Sequence, residues 1–275
     1  MPTGRRVADV VDLRTEAGGW LHPAEIDLLC TFGEVAPPYP LRVRSLGASM
    51  EDQRDVFRTA RSRLAERGLA DHRGPRGVAA DFVHLLREGA GALDMLVARK
   101  GSAARVLVLA RREEALLVNQ NGAEGPVHLR ALSLHDAVDQ LQRLVPEHEA
   151  AMAAPFSVPR RAVEQVHREI LGARDRLSAD DLDRIMQRNG LDEQTARKMA
   201  THLQPVLGNG QAGVAVRRGY ADEWTRSGEE LRWLDTTRGR FRLAGGTLTD
   251  WMSVNPFTRD ELRSELRTLA GELWY

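Results

Sequence analysis

Apolar residues recur along this chain at two spacings, and each change of spacing marks a change of element. Behind Pro23, which suits the first turn of a helix, Ile26, Leu28 and Leu29 predict a helix over His22–Phe32. A short extended piece is expected at Pro40–Ser45, punctuated by Gly47. Ser49-Met-Glu-Asp52 has the form of a capping box, and the helix it opens carries Val56, Phe57, Ala60 and Leu64 at steps of three to four. That helix closes at Arg67-Gly68-Leu69, with glycine where a left-handed cap is wanted. A second short helix is expected over Val78–Arg87. The period then shortens to two. Leu93–Arg99, Arg105–Ala110, Ala115–Asn119 and Val127–Arg130 are β-prone runs separated by turn-forming residues, an antiparallel meander. Ser133-Leu-His-Asp136 caps a helix with Ala137, Val138, Leu141 and Leu144 on one face.

The proline-bearing stretch Pro146–Pro159 is the best boundary, and beyond it the scheme repeats. Helices are predicted at Arg160–Leu171, Ser178–Arg188 and Asp192–Gln204. Strands follow at Ala212–Arg217, Leu231–Asp235, Arg240–Leu243 and Asp250–Val254. The last helix opens at Thr258-Arg-Asp-Glu261, another capping box, with Leu262, Leu266, Leu269 and Leu273 on one stripe. The expected fold is therefore α+β. It has two pseudo-twofold-related halves, each of helices, an antiparallel β-meander and a closing helix. The division is an N-terminal segment 1–21, a first half 22–148 and a second half 149–275, packed as one compact domain.

Composition narrows the function. With 275 residues, 42% hydrophobic and 28% charged, the chain reads as globular. Basic and acidic residues balance at 39 each, so no overall field draws it to nucleic acid or an anionic membrane. Only Lys100 and Lys198 are lysine, a bias that a GC-rich genome explains better than arginine-specific recognition. Cys30 is the single cysteine and can form no internal disulfide. Asp9 and Asp12 interrupt the N-terminal apolar run, and no run approaches the ~20 apolar residues of a membrane span. From these features a cytoplasmic protein is expected.

Most candidate chemistry yields to a structural explanation. Trp233-Leu-Asp-Thr-Thr-Arg-Gly-Arg-Phe241 gathers a carboxylate, hydroxyls and guanidinium groups, but it reads as a hairpin, with Gly239 free to take positive φ. Gly208-Asn-Gly210-Gln-Ala-Gly213 matches G-x-G-x-x-G, yet a helix precedes it and a strand follows, the reverse of the dinucleotide fold. Ser133, His135 and Asp136 are cap residues rather than a triad. The eight histidines include no i,i+4 pair, and Glu147-His-Glu149 sits in the linker. No catalytic residue, metal or cofactor is expected, and the chain is read as a binding protein. The alternative is a DNA-binding regulator using 177–204, which has the outline of a helix-turn-helix. Trp233 and Trp251 are expected in the sheet core. Trp224, in the polar stretch Gly219–Glu230, suits an exposed anchor for a partner. Tyr220, Trp224, Arg217 and Lys100 form the candidate partner-binding set.

Several stretches together resemble one family. Pro40-Leu-Arg-Val-Arg-Ser-Leu-Gly47 and Arg61-Ser-Arg-Leu-Ala-Glu-Arg-Gly-Leu69 are similar to a strand "L-x-V-x-S-x-G" and a helix ending "L-x-x-R-G-L". Gly210-Gln-Ala-Gly-Val-Ala-Val-Arg-Arg218 resembles "G-Q-F-G-V-A". Trp233–Phe241 with Trp251-Met-Ser-Val-Asn-Pro256 resembles "W-x-D-T-x-x-G-R-Y…W-x-x-V-x-P". This is the pattern of EspG, the ESX (type VII) secretion-associated proteins of actinobacteria. The resemblance makes Gly47, Gly68, Gln211, Gly213, Trp233, Asp235, Thr236, Gly239, Trp251 and Pro256 structural signature positions. It implies a cytosolic chaperone that binds PE–PPE heterodimers near the tip of the PPE hairpin and keeps them soluble for export. Contact is implied through the face of the sheet, an early strand-connecting loop and the C-terminal helices. Lys100-Gly-Ser-Ala103 is shorter than the family's binding loop, and Ala212 replaces an aromatic. The expected client is therefore a PE–PPE pair or another WXG100-like helical substrate, with no nucleic acid and no membrane insertion.

Overall fold

The computed structural model describes residues 18–44, 49–122, 124–172, 178–217, 224–245 and 250–274. The chain forms two compact units, the first of residues 1–92, 104–144 and 273–275, the second of 93–103 and 145–272.

The first unit starts with β1 (Gly18–Leu21) and α1 (Pro23–Phe32). The His22 side chain accepts the Ala24 amide at 3.1 Å, and Glu25 reaches back to the His22 amide at 2.7 Å, so α1 begins in a reciprocal cap. Then come α2 (Met50–Glu66), a small hairpin of β2 (Ala70–Asp71) and β3 (Gly74–Pro75), and α3 (Val78–Glu88). The Ser49–Asp52 box caps α2 as its sequence predicts, and Gly68 follows it at φ +71. After β4 (Gly91–Arg99), which lies mostly in the second unit, come β5 (Ser102–Arg111), β6 (Glu114–Asn121), β7 (Val127–Ser133) and α4 (Leu134–Leu144). The first unit's strands lie in the order β1-β7-β6-β5. Unbroken burial of Val106 to Ala110 and Leu116 to Val118 marks a sheet covered on both faces.

The second unit adds β8 (Phe156–Pro159), α5 (Arg160–Gly172), α6 (Ala179–Arg188), α7 (Glu193–His202), β9 (Val206–Val216), β10 (Thr225–Thr236), β11 (Gly239–Ala244), β12 (Trp251–Pro256) and α8 (Arg259–Gly271). Its strands lie in the order β4-β9-β10-β11-β12-β8. Leu262, Leu266 and Leu269 give α8 its buried stripe, and Arg242 of β11 bonds Glu265 of that helix at 2.5 Å. A second apolar cluster unites Phe156, Val158, Phe241 and Val254 of the sheet with Leu203, and Val163 and Met199 of α5 and α7 pack against it.

The stretch Trp233–Phe241 is indeed a hairpin, with Thr236 paired to Gly239 across two turn residues. Gly239 takes φ +118, and any Cβ there would meet the Ala151 backbone at 2.5 Å. Inside the hairpin Arg240 and Asp235 form a buried two-pronged pair, Nε to Oδ1 at 2.6 Å and Nη2 to Oδ2 at 3.0 Å. The carboxylate and guanidinium of this stretch are thus structural.

Several expectations are corrected. The "L-x-V-x-S-x-G" stretch is not in a strand over its described residues 41–44, where the Arg42 backbone bonds the Gln120 side chain, amide to Oε1 at 2.8 Å and Nε2 to carbonyl at 2.9 Å. Gly47 lies outside the described residues. The polar stretch to Glu230 is not all loop, because β10 begins at Thr225 and holds its polar residues in a register shift between Ser227 and Leu231. Trp251 is not core: it is 57% exposed. Val254 is fully buried, so alternation on β12 turns Met252 and Val254 toward the cluster that α5 and α7 pack against and leaves Trp251 on the opposite face of the sheet. Trp251→Ala should accordingly cost only about 1 kcal/mol in chemical denaturation, far below the ~3–5 kcal/mol of a core tryptophan.

Candidate partner-binding face of the second unit

Alternation along three strands separates two faces of the second unit's sheet. On β9, Gly208, Gly210, Ala212 and Val214 point inward and are buried, and on β10 Leu231, Trp233 and Asp235 do the same. On β4 the inward set is Leu93, Met95 and Val97. The intervening positions form the outer face: Leu96 and Ala98 on β4, Leu207, Asn209 and Gln211 on β9, Arg232 and Leu234 on β10. None of these is buried. Helices α5 and α7 pack over β11, β12 and β8, and Leu234 packs against the same cluster. The β4–β9–β10 strip beside them keeps an open surface with apolar Leu96, Ala98, Leu207 and Leu234 among amides and a guanidinium.

Charge closes one end of this strip. Arg226 grips Asp94 with Nη1 and reaches its Oδ1 with Nη2 at 3.4 Å. Glu230 accepts Arg232 Nη2 at 2.7 Å and lies 3.5 Å from Arg226. Gly213 makes the arrangement possible, since a Cβ there would stand 2.7 Å from Arg226 Nη1. Burial raises the pKa of Asp94, and Arg226 offsets that only in part. A raised carboxyl pKa in the folded state means that ionising Asp94 costs stability as pH rises from the ordinary carboxylate value through the raised one. Beside these groups a concavity of about 260 Å³ is lined by Arg160, Glu230, Arg232, Leu243 and Met252.

The far end carries Val206 and Leu207, 43% and 45% exposed, with the Arg99 stem against Gly208 and Lys100 exposed in the following turn. Lys100 is thus at the opposite end of β9 from Arg217 and Trp224, a separation of about 30 Å at roughly 3.3 Å per residue. The structure does not bring these three together. Trp224 is half-buried just before β10, its buried Nε1 has no hydrogen-bond partner among the described residues, and Tyr220 lies outside them. Of the signature positions, Gln211 is on the outer face, Trp233 covers Gly210 on the inner one, and Pro256 pairs with Phe241. The outer-face residues Leu96, Leu207 and Leu234 escape a motif search because they match no motif. Period-two alternation through β9 is the signal that reveals them.

The remaining sequence candidates have structural roles. Ser133 Oγ accepts the Asp136 amide at 3.1 Å, a helix cap. Gly208–Gly213 lies within β9. Cys30 is buried, and burial, then Asp27, pushes its thiol up to about 12, so no thiolate is available at neutral pH. Among the described residues no group of three or more His, Cys, Asp or Glu side chains is placed to hold a metal ion. In the helix-turn-helix-like segment, Arg184, Arg188 and Arg197 are each paired with a carboxylate, Asp181, Glu169 and Glu193. Asp192 and Glu193 occupy the start of α7, where a recognition helix would meet phosphate. No helix among the described residues is long and apolar enough to cross a membrane.

Comparison with known proteins finds both a family and similar solved structures. The family model described as the EspG family matches residues 22–268. Among solved structures, the fold is similar to that of the Mycobacterium tuberculosis type VII secretion system chaperone EspG5, solved in complex with the PE25-PPE41 dimer. The TM-score is 0.59 at 13% identity, over 94% of this chain and 98% of that one, so the likeness is one of fold. No curated protein matches the sequence.

Proposed function

The chain belongs to the EspG family, and from that premise we propose that it is a cytoplasmic chaperone, without catalysis, for a helical substrate of a type VII secretion system. The client of first choice is a PE–PPE-like heterodimer, the class of partner with which EspG5 was solved. The observation that carries the reading is the open outer face of β4, β9 and β10. It offers apolar Leu96, Ala98 and Leu234, continued by Leu207 at the end where the cationic turn Arg99–Lys100 stands, with the Asp94–Arg226–Glu230–Arg232 cluster at the other end. A docked helical hairpin needs such a strip, an apolar anchor within a polar rim, and no reactive group. We also propose that halves 22–148 and 149–275 arose by duplication. The shared order of strand, helices, four-strand meander and closing helix supports this.

The test is a binding titration of the purified protein with a recombinant PE–PPE pair. Leu207→Glu and Leu96→Glu, each placing a charge on the outer face, are expected to weaken binding roughly 30-fold, about 2 kcal/mol, with the melting transition unchanged. Unchanged affinity in both variants contradicts the assignment of this face.

A further inference from the structure

The first unit carries a concavity that the chaperone reading does not use. It encloses about 340 Å³ between α1, α2 and the β2–β3 hairpin, at the small end of ligand pockets, too narrow for a helix and sufficient for one small molecule. Its walls are Leu28, Leu29 and Phe32 of α1, Leu64 of α2, and Ala70 and Pro75 of the hairpin. Leu29 and Leu64 are both 1% exposed and form a fixed floor, whereas Phe32 stands 52% exposed at the mouth. Gly74 holds that wall in place. It takes φ +143, and a Cβ there would come 3.0 Å from the Phe32 ring, so the ring lies directly on the hairpin backbone.

Basic side chains outnumber acidic ones at the mouth. Arg61, His72 and Arg73 line it. Among the described residues, neither the Arg61 nor the Arg73 guanidinium makes an ion pair or a side-chain hydrogen bond. The one carboxylate present, Asp71, is already engaged. It accepts Arg76 Nε at 2.8 Å, and the amides of Arg73 and Gly74 at 2.7 and 3.2 Å. An apolar cup thus opens beneath two uncommitted guanidinium groups, and the carboxylate that lines it is engaged by another arginine.

We propose that this pocket binds a small amphipathic oxyanion, its apolar body among Leu28, Leu29, Phe32 and Leu64 and its carboxylate or phosphate head on Arg61 and Arg73. Guanidinium groups suit either head, since both oxyanions accept paired N–H bonds. A neutral molecule of the same shape would forgo those bonds, and a cation would meet them as like charge.

The test uses 1-anilinonaphthalene-8-sulfonate as a fluorescent probe with an aromatic body and an anionic head. Expected are saturable fluorescence with the full chain and displacement by octanoate and octyl phosphate at concentrations where octanol fails. Comparing the two anions tells which head is preferred. Arg61→Gln and Arg73→Gln, both at exposed positions, should each weaken probe binding about tenfold. Leu28→Glu, which sets a carboxylate inside the cup, should abolish it. Absence of probe binding, equal displacement by octanol, or unchanged affinity in both arginine variants overturns the proposal.

Discussion

Arg240→Ala should lower the stability of the second unit by about 3–5 kcal/mol, read as a shift of the urea midpoint at unchanged slope. Arg240 is 1% exposed and Asp235 3% exposed, so truncation leaves a carboxylate buried without its counter-charge. Its Nη2 also donates to the Pro146 carbonyl at 2.8 Å. The backbone of the same residue receives Ala151 at 3.1 Å and Phe257 at 3.0 Å, and donates to Glu149 at 2.7 Å. One arginine therefore fastens the 146–151 segment and the entry to α8 onto the β10–β11 hairpin. Asp235→Ala should cost a similar amount, and the double variant clearly less than the two together, because the penalty of each single change is the charge it strands. Arg240→Lys keeps the charge but loses the planar fork and should fall between wild type and Arg240→Ala. A loss under about 1 kcal/mol for Arg240→Ala would mean that the pair is not buried as described.

The second large effect is expected at Trp233. Its side chain is 1% exposed and its ring lies over Gly210, where an added Cβ would stand 2.0 Å from ring carbon Cζ2. Trp233→Ala should cost roughly 3–5 kcal/mol, the lost transfer energy plus the cavity left behind. Gly210→Val approaches the same contact from the other side and should cost about 3 kcal/mol, because ring and side chain cannot share the space. The two changes are coupled: in a Trp233→Ala background Gly210→Val fills part of the vacated volume and should cost far less. Simple addition of the two losses would show that the ring does not rest on Gly210. The glycine of the G-x-G-x-x-G match thus serves a tryptophan and not a phosphate.

Local rules reach far into this fold. Capping boxes at Ser49, Ser178 and Thr258 start helices where the residues say they should, because a cap needs only neighbours three positions apart. Alternation placed the eight strands of the two meanders, apart from an early start for β9 and β10. What escaped depends on distant partners. Four-residue β1 and β8 are strands only because β7 and β12 bond them, and no periodicity can show within so few residues. Trp251 illustrates the same limit, since its hydrophobicity argues for burial while the phase of β12, set by Val254, turns it out. The EspG signature was legible because its residues are structural: Trp233, Asp235, Thr236 and Gly239 build one hairpin. The candidate binding face was not, because Leu96, Leu207 and Leu234 become neighbours only once three strands pair.

The measurement that bears most directly on the chaperone reading is affinity purification of the tagged protein from the cytosol of its native host, with mass spectrometry of the proteins that accompany it. The account predicts a small helical type VII substrate, recovered near one-to-one and lost when its gene is deleted. Recovery of nucleic acid at moderate salt, or of no protein partner, would contradict it.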